Sequence, residues 1–149
     1  MKTRDWDIFR SIAKVLVIGH DPRLQKSKRI ADYCFYADYY FEQIKDPQYA
    51  KKRALAKSVF DFIKYIFDGE VKETEVYITN LCNDALPSAP KGKTVYIPKG
   101  KAVQGLNHIR DILSKTDITV IFAMSEQVNC WLQELAFYDS QNGFLEDAK

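Results

Sequence analysis

Two polar segments that follow apolar runs contain the residues best suited to chemistry in this chain of 149 residues. In the first, Gly-His-Asp-Pro at 19–22 follows the apolar run 15–18, and the carboxylate of Asp21 suits acid–base work or the stabilisation of a cation. In the second, Asn80 ends the run 75–80, and its amide can both donate and accept hydrogen bonds. A carboxylate and an amide together suit the recognition and cleavage of a polar ligand.

The first apolar run predicts a strand that is covered on both faces. Residues 15–18 are too few for a helix, and three of the four are β-branched, which is typical of a buried parallel strand. Ligands of open α/β sheets bind beyond the carboxyl ends of the strands, where Gly19 permits close backbone approach and Pro22 restricts the turn. From these residues alone, an ordinary turn after a strand remains the alternative.

The order of the predicted elements favours an α/β fold. Strands are expected at 15–18, 75–80 and 118–123, with 94–98 as a short edge strand or an extended loop. Helices are expected at 4–12, 27–45, 49–67, 102–115 and from Ser125 or Glu126 to Tyr138, with Ser27 as the cap of the second. This alternation predicts a three-layer α/β/α sandwich with a central, mostly parallel sheet and right-handed crossovers.

The length predicts a single domain over residues 1–149. The segment 118–123 is as apolar as a central strand, although no further strand is predicted after it. An exposed apolar edge promotes aggregation, so we expect either another element over it or a natural chain that continues past Lys149. In the second case the domain is truncated at its C-terminus.

The composition limits which partners and which cellular compartment we expect for this chain. No apolar run approaches the roughly 20 residues of a membrane span, and the N-terminal residues lack the apolar region of a signal peptide. Cys34, Cys82 and Cys130 lie far apart, which gives no support for a zinc or iron–sulfur site and suits a reducing cytoplasm. We therefore expect a cytoplasmic monomer without metal, cofactor or membrane partner.

Positive residues follow both candidate segments. The net charge of +2 is too small to indicate a nucleic-acid partner, but 22–29 and 91–110 contain lysine and arginine without a single acid. These runs could flank one cleft and neutralise phosphates, although solvated lysine faces are commoner. The candidates for contact with a DNA backbone are Arg23, Lys26, Lys91 and Lys93.

Taken together, Gly-His-Asp-Pro at 19–22, Asn80 and the strand Val-Ile-Phe-Ala-Met-Ser at 120–125 resemble the uracil-DNA glycosylase superfamily over about residues 14–138. The resemblance implies removal of uracil or a related damaged base from DNA by a base-excision enzyme, with Asp21 activating water or stabilising the oxocarbenium-like sugar. Such an enzyme must extrude the base from the stack into a pocket. The remaining implied roles are a backbone contact to the base from His20, stacking by Phe35, reading of the uracil edge by Asn80, and a DNA-backbone contact near Ser88.

The chain also departs from that family's pattern. Arg23 stands where many members have a tyrosine or a small residue, and the late His-Pro-Ser motif is absent. The histidines of this chain are His20 and His108, and His108 lies within a predicted helix. Because the late histidine stabilises the departing uracil anion, its loss can cost about a hundredfold or more in rate.

Three other functions stay open from the sequence. The first is a non-catalytic domain that binds nucleic acid or a nucleobase and keeps the pocket. The second is a nucleotide- or flavodoxin-type binding domain, which would need a glycine-rich phosphate loop that this chain lacks. The third is a structural role in which a homodimer covers the edge of the strand at 118–123.

Overall fold

A computed structural model describes residues 12–21, 23–24, 30–31, 47–84, 86 and 95–134, with only the backbone described at 23–24 and 30–31. Within these ranges the strands are β1 (Val15–Gly19), β2 (Arg23–Leu24), β3 (Ile30–Ala31), β4 (Val76–Asn80) and β5 (Val120–Ala123). The α-helices there are α1 (Ala50–Ile66), α2 (Lys99–Ser114) and α3 (Glu126–Glu134), and single 3₁₀ turns occur at Pro47–Tyr49 and Glu73–Glu75.

Strand β1 lies at the centre of a three-stranded parallel sheet with the order β4-β1-β5. Val15 pairs with Val76 on one side and with Val120 on the other. All five residues of β1 are buried, as the short β-branched run predicts. The chain therefore passes from the middle of the sheet directly into the candidate segment that begins at Gly19.

The two long helices each bury one stripe of side chains at helical spacing. Ala56, Phe60 and Ile63 are the buried residues of α1, and Leu106 and Ile109 are among those of α2. These stripes join the strands in one hydrophobic core. Across the described ranges, no helix combines the length and the apolar character needed to cross a membrane.

The ends of two helices follow local signals in the sequence. After α1, Asp68 and Gly69 adopt positive φ angles of 51° and 78°, and the Gly69 N–H donates to the Lys64 carbonyl at 2.7 Å. This left-handed pair ends the helix as the Asp-Gly dipeptide predicts. At the start of α3, the Ser125 Oγ accepts a hydrogen bond from the Val128 N–H at 3.1 Å, which identifies Ser125 as the cap.

Helix α2 packs against the chain just after β4 at a position that only glycine can occupy. A Cβ on Gly105 would overlap the carbonyl oxygen of Leu81. Leu81 directly follows Asn80, so this backbone contact determines how the chain leaves β4. Gly105 is thus required for close approach of the helix to the segment that carries the second candidate residue.

The predicted α/β class with a parallel sheet is confirmed, while one predicted helix is wrong at its start. The helix expected over 27–45 conflicts with β3, because Ile30–Ala31 pairs antiparallel with Arg23–Leu24. Helical periodicity does not reveal a strand partner six residues away. Of the two alternatives for 94–98, the described residues 95–98 form an extended loop. The rest of 27–45, residues 4–11 and the predicted end of the last helix lie outside the described residues.

Strand β5 occupies one end of the described sheet, and β4 occupies the other. The four residues of β5 are only partly buried, whereas β1 and β4 are buried throughout. Phe122 packs edge-on against Phe62 of α1, with ring centroids 6.4 Å apart. The apolar segment that the sequence predicts as a third core strand is therefore an edge strand of this part of the sheet.

Candidate functional site

The two candidate segments lie side by side because backbone hydrogen bonds join them beyond the last paired residues of β1 and β4. Gly19 pairs with Asn80 in the register. Beyond that pair, the Leu81 N–H donates to the Gly19 carbonyl at 2.8 Å, and the Cys82 N–H donates to the His20 carbonyl at 2.9 Å. The two segments thus meet at the carboxyl edge of the sheet. The His20 carbonyl is engaged in these hydrogen bonds.

Asp21 places a buried carboxylate at this edge. The residue is 5% exposed, and its side chain is fully buried. Its Oδ2 accepts a hydrogen bond from the Leu86 N–H at 3.0 Å, and its Oδ1 lies 2.5 Å from the Nδ1 of His20. A buried charge requires partners of this kind, because desolvation without compensation is costly. The carboxylate is thus held from two sides, by a ring and by a backbone amide.

The partners of His20 determine where its hydrogens lie. Its Nε2 is 3.0 Å from the carbonyl oxygen of Val95, which can only accept, so Nε2 carries a hydrogen. Nδ1 then faces the Asp21 Oδ1 at 2.5 Å. Because two lone pairs at this distance would repel each other, we expect a proton between the two atoms.

Asn80 places a carboxamide at the end of the neighbouring strand. The residue is 5% exposed and directly precedes the turn at Leu81. Its Oδ1 atom is buried and accepts no hydrogen bond from the part of the chain that the structure describes, although the residue has other contacts. The amide and the Asp21 carboxylate thus occupy adjacent strand ends at the same edge.

The segment after Asn80 is tied to the start of α2 by a cysteine and an ion pair. The Cys82 Sγ donates to the Asp84 carbonyl at 3.3 Å, and burial raises the pKa of this thiol, which keeps it protonated. The Asp84 carboxylate pairs with Lys101, which raises the pKa of that ammonium group. The pair is exposed and adds little stability, but it places a cation and a carboxylate on the rim.

The described ranges contain no group of side chains that could bind a metal ion. No three His, Cys, Asp or Glu side chains among those residues converge in a way that would hold an ion. Of the cysteines that the structure describes, Cys82 is buried and Cys130 is exposed.

An apolar pocket of about 290 Å³ lies elsewhere, between α1 and the edge strand β5. Its lining residues are Ser58, Val59, Phe62, Ile63, Phe122 and Met124. None of these side chains titrates, so the pocket does not supply acid–base chemistry. The candidate chemistry lies at Asp21, one strand away.

Four of the predicted site residues are brought together, namely Gly19, His20, Asp21 and Asn80. The backbone of Arg23 lies in β2, and its side chain is outside the described residues. The other predicted site residues, Pro22, Lys26, Phe35, Ser88, Lys91 and Lys93, lie outside the described residues altogether.

Sequence reasoning missed three residues of the site. Leu86 and Val95 contribute backbone groups, which carry no signal in the identity of the side chain. Gln127 lies at the start of a helix that the sequence does predict, but nothing local links it to His20. Comparisons of the chain with models of protein families, with curated proteins and with solved structures found no match.

Proposed function

We propose that this chain is a base-excision DNA glycosylase that hydrolyses the N-glycosidic bond of uracil or of a related damaged base. The observation that carries the proposal is the placement of a buried carboxylate, Asp21, and a buried carboxamide, Asn80, at adjacent strand ends joined by backbone hydrogen bonds. The resemblance of both segments to the uracil-DNA glycosylase superfamily supports the same assignment.

The chemistry of the reaction explains why a buried carboxylate suits it. When the bond between C1′ and the base breaks, its electron pair leaves with the base and positive charge develops on the sugar. A fixed anion stabilises that charge more strongly in a buried site than in water. Water then adds to C1′, and Asp21 takes the proton that the water loses. The base leaves as an anion that solvent protonates.

Recognition of the base follows from the amide of Asn80. A base must leave the stack before its glycosidic bond can be reached, and its Watson–Crick edge is then open to hydrogen bonding. A carboxamide can donate to a carbonyl oxygen and accept from the ring N–H of uracil at the same time. Cytosine presents the opposite pattern at these positions, so an amide held in this one orientation favours uracil.

Cations at the starts of α1 and α2 support a nucleic-acid partner. Helix α2 connects β4 to β5, so its first turn lies at the carboxyl edge with Lys99 and with Lys101, which pairs with Asp84. Helix α1 begins with no acid in its first turn, where Lys51 is exposed. Val59 of α1 lines the apolar pocket together with Met124, which directly follows β5. Lys51 lies about two helical turns before Val59, and so beyond the carboxyl end of β5. Such a rim suits phosphates.

We also propose the three-layer arrangement of the fold. The crossover through α1 moves from β1 to β4, and the crossover through α2 moves back across the sheet to β5. If both crossovers are right-handed, the two helices lie on opposite faces of the sheet. The proposed enzyme acts as a cytoplasmic monomer, which its three widely spaced cysteines suit.

A second function is favoured by the contacts of Asp21. Both carboxylate oxygens already have partners, Oδ1 with His20 and Oδ2 with the Leu86 N–H. A carboxylate oxygen can accept more than one hydrogen bond, but the arrangement also suits a site that only holds a nucleobase. The alternative is therefore a non-catalytic domain that binds nucleic acid or a nucleobase.

One experiment separates the two functions. The full chain is incubated with single- and double-stranded oligonucleotides that carry one uracil, and both retained binding and abasic sites are measured. A matched oligonucleotide with thymine at that position serves as the control. Abasic sites that form only with uracil support the glycosylase, whereas selective binding of the uracil strand without excision supports the binding domain. Neither binding nor excision would contradict both.

A further inference from the structure

A chain of hydrogen bonds connects helix α3 to the Asp21 carboxylate through four residues. It runs from Gln127 on α3 to the extended segment at Val95 and Ile97, then to the His20 ring, and ends at Asp21. Apart from the neighbours His20 and Asp21 and the nearby pair Val95 and Ile97, these residues are far apart in the sequence. The hydrogen bonds between them involve both side-chain and backbone atoms. Gln127 has no assigned role in the proposed reaction.

The amide of Gln127 holds the extended segment at two points. Its Oε1 accepts from the Ile97 N–H at 2.6 Å, and its Nε2 donates to the Val95 carbonyl at 3.0 Å. A carboxamide that pairs with an N–H and a C=O two residues apart imitates the backbone of a neighbouring strand. Ile97 is 1% exposed, so the segment is anchored in the core at the same place.

The same Val95 oxygen directs the ring of His20. It accepts from Gln127 Nε2 and from His20 Nε2, each at 3.0 Å, which occupies both of its lone pairs. With Nε2 fixed as a donor, Nδ1 of the ring is left to face Asp21 at 2.5 Å. If the carbonyl moved, the ring could turn or take the other tautomer, and the contact with the carboxylate would be lost.

We propose that Gln127 is a positioning residue that orients the Val95 carbonyl, fixes the Nε2–H form of His20, and so aims Nδ1 of that ring at the Asp21 carboxylate. The consequence of this orientation for catalysis rests on the proposed glycosylase activity. The orientation itself does not depend on any activity and can be measured alone.

The direct test is a nuclear magnetic resonance spectrum of the imidazole nitrogens and their protons in the full chain. The chain has two histidines, so His108 serves as an internal reference, and His20→Gln identifies the signals of His20. For the unchanged chain we expect a protonated Nε2 on His20 and a low-field, slowly exchanging proton between Nδ1 and Asp21. Asp21→Asn should move that low-field signal.

The deciding variant is Gln127→Leu, with Gln133→Leu on the exposed last turn of the same helix as its matched control. We expect Gln127→Leu to lose the low-field proton while Gln133→Leu keeps it. Gln127→Glu keeps an acceptor for the Ile97 N–H but lacks a donor for the Val95 carbonyl, so it should lose the signal with less risk to folding. A low-field proton that persists unchanged in either variant would overturn the proposal. Unfolding of both variants would also overturn it, since Gln127 would then be a structural residue.

Excision kinetics then separate this proposal from the proposed function. If the chain excises uracil, Gln127→Leu should lower kcat by up to about a hundredfold and leave KM nearly unchanged, because the reacting group is misplaced while the base still binds. If the spectrum responds as expected but the unchanged chain excises nothing, the positioning role stands and the glycosylase function fails. An unchanged kcat in an active enzyme whose low-field signal is lost would contradict the catalytic consequence.

Discussion

The Nδ1 of His20 lies 2.5 Å from the Oδ1 of Asp21, its neighbour in sequence, at the carboxyl end of the central strand. Adjacent side chains of a strand point to opposite faces, so this contact requires the chain to leave the strand geometry directly after Gly19. The strand ends at that residue. The end of β1 thus brings a ring and a carboxylate together at the carboxyl edge of the sheet.

The contact between His20 and Asp21 should appear as an energetic coupling. His20→Ala leaves the buried carboxylate with one fewer hydrogen-bond partner, and we expect the free energy of unfolding to fall by about 1–3 kcal/mol. In an Asp21→Asn background the same substitution should cost less, because no buried charge is left. Urea unfolding of the single and double variants measures the coupling. Equal losses in the two backgrounds would show that the two side chains do not interact.

The close packing of α2 predicts opposite outcomes for two glycines of the same helix. Gly105→Ala forces a Cβ against the Leu81 carbonyl, so it should destabilise the fold by about 1–3 kcal/mol or more. Gly100→Ala meets nothing within 4 Å and should be neutral or slightly stabilising. Thermal unfolding of both variants measures the difference. A Gly105→Ala protein as stable as Gly100→Ala would contradict the observed approach of the helix.

The ion pair between Lys14 and Glu75, at the amino-terminal ends of β1 and β4, predicts a loss of stability in acid. Lys14 Nζ lies 2.8 Å from Glu75 Oε2, and this contact, followed by the Lys72 N–H, lowers the pKa of the Glu75 carboxyl. A lowered pKa in the folded state adds stability above the ordinary pKa, and the addition disappears as the pH falls through the folded value. Glu75→Gln should therefore lose stability near neutral pH and behave like the unchanged chain in strong acid.

Urea midpoints at about pH 7 and about pH 3 measure this effect. The control is Glu134→Gln, which removes an exposed acid near the end of α3. We expect the midpoint difference between the two pH values to shrink in Glu75→Gln and to change little in the control. If both variants keep the full difference, the pair contributes nothing to the pH dependence.

Cations on the rim should contribute to the salt dependence of DNA binding. If DNA lies along this rim as proposed, Lys51→Gln and Lys99→Gln would each remove one phosphate contact, so each should lower the slope of log affinity against log salt by about 0.9 on duplex DNA. The control, Lys115→Gln, follows the far end of α2, where the lysine pairs with Asp111. Fluorescence anisotropy of a labelled oligonucleotide measures the slopes. A control that lowers the slope as much as the rim variants would place the DNA elsewhere.

The features that could be predicted from the sequence are those that depend on residues close together in the chain. The apolar run 15–18 predicts a buried strand, and a parallel sheet then brings its end beside Asn80, as the Gly19–Asn80 register confirms. Ser125 and the Asp-Gly dipeptide at 68–69 predict helix boundaries because capping and left-handed turns depend on those residue types.

The parts that could not be predicted depend on tertiary contacts. The bonds from Leu86 and Val95 to the His20–Asp21 pair involve backbone atoms that any residue would supply. Gln127 reaches the same segment from 32 residues away, and its sequence context resembles an ordinary helix start. Ile30 pairs in a short strand although its surroundings have helical character, because pairing with Leu24 provides hydrogen bonds that local propensity ignores.

The central claim is that the Asp21 carboxylate performs the chemistry beside Asn80, and the single-turnover rate of uracil excision tests it most directly. Asp21→Asn keeps the size of the side chain and should lower the rate by about 10²- to 10⁴-fold while binding of the uracil oligonucleotide is retained. Asn80→Ala should weaken binding of uracil relative to cytosine. An Asp21→Asn protein that excises uracil as fast as the unchanged chain would contradict the account.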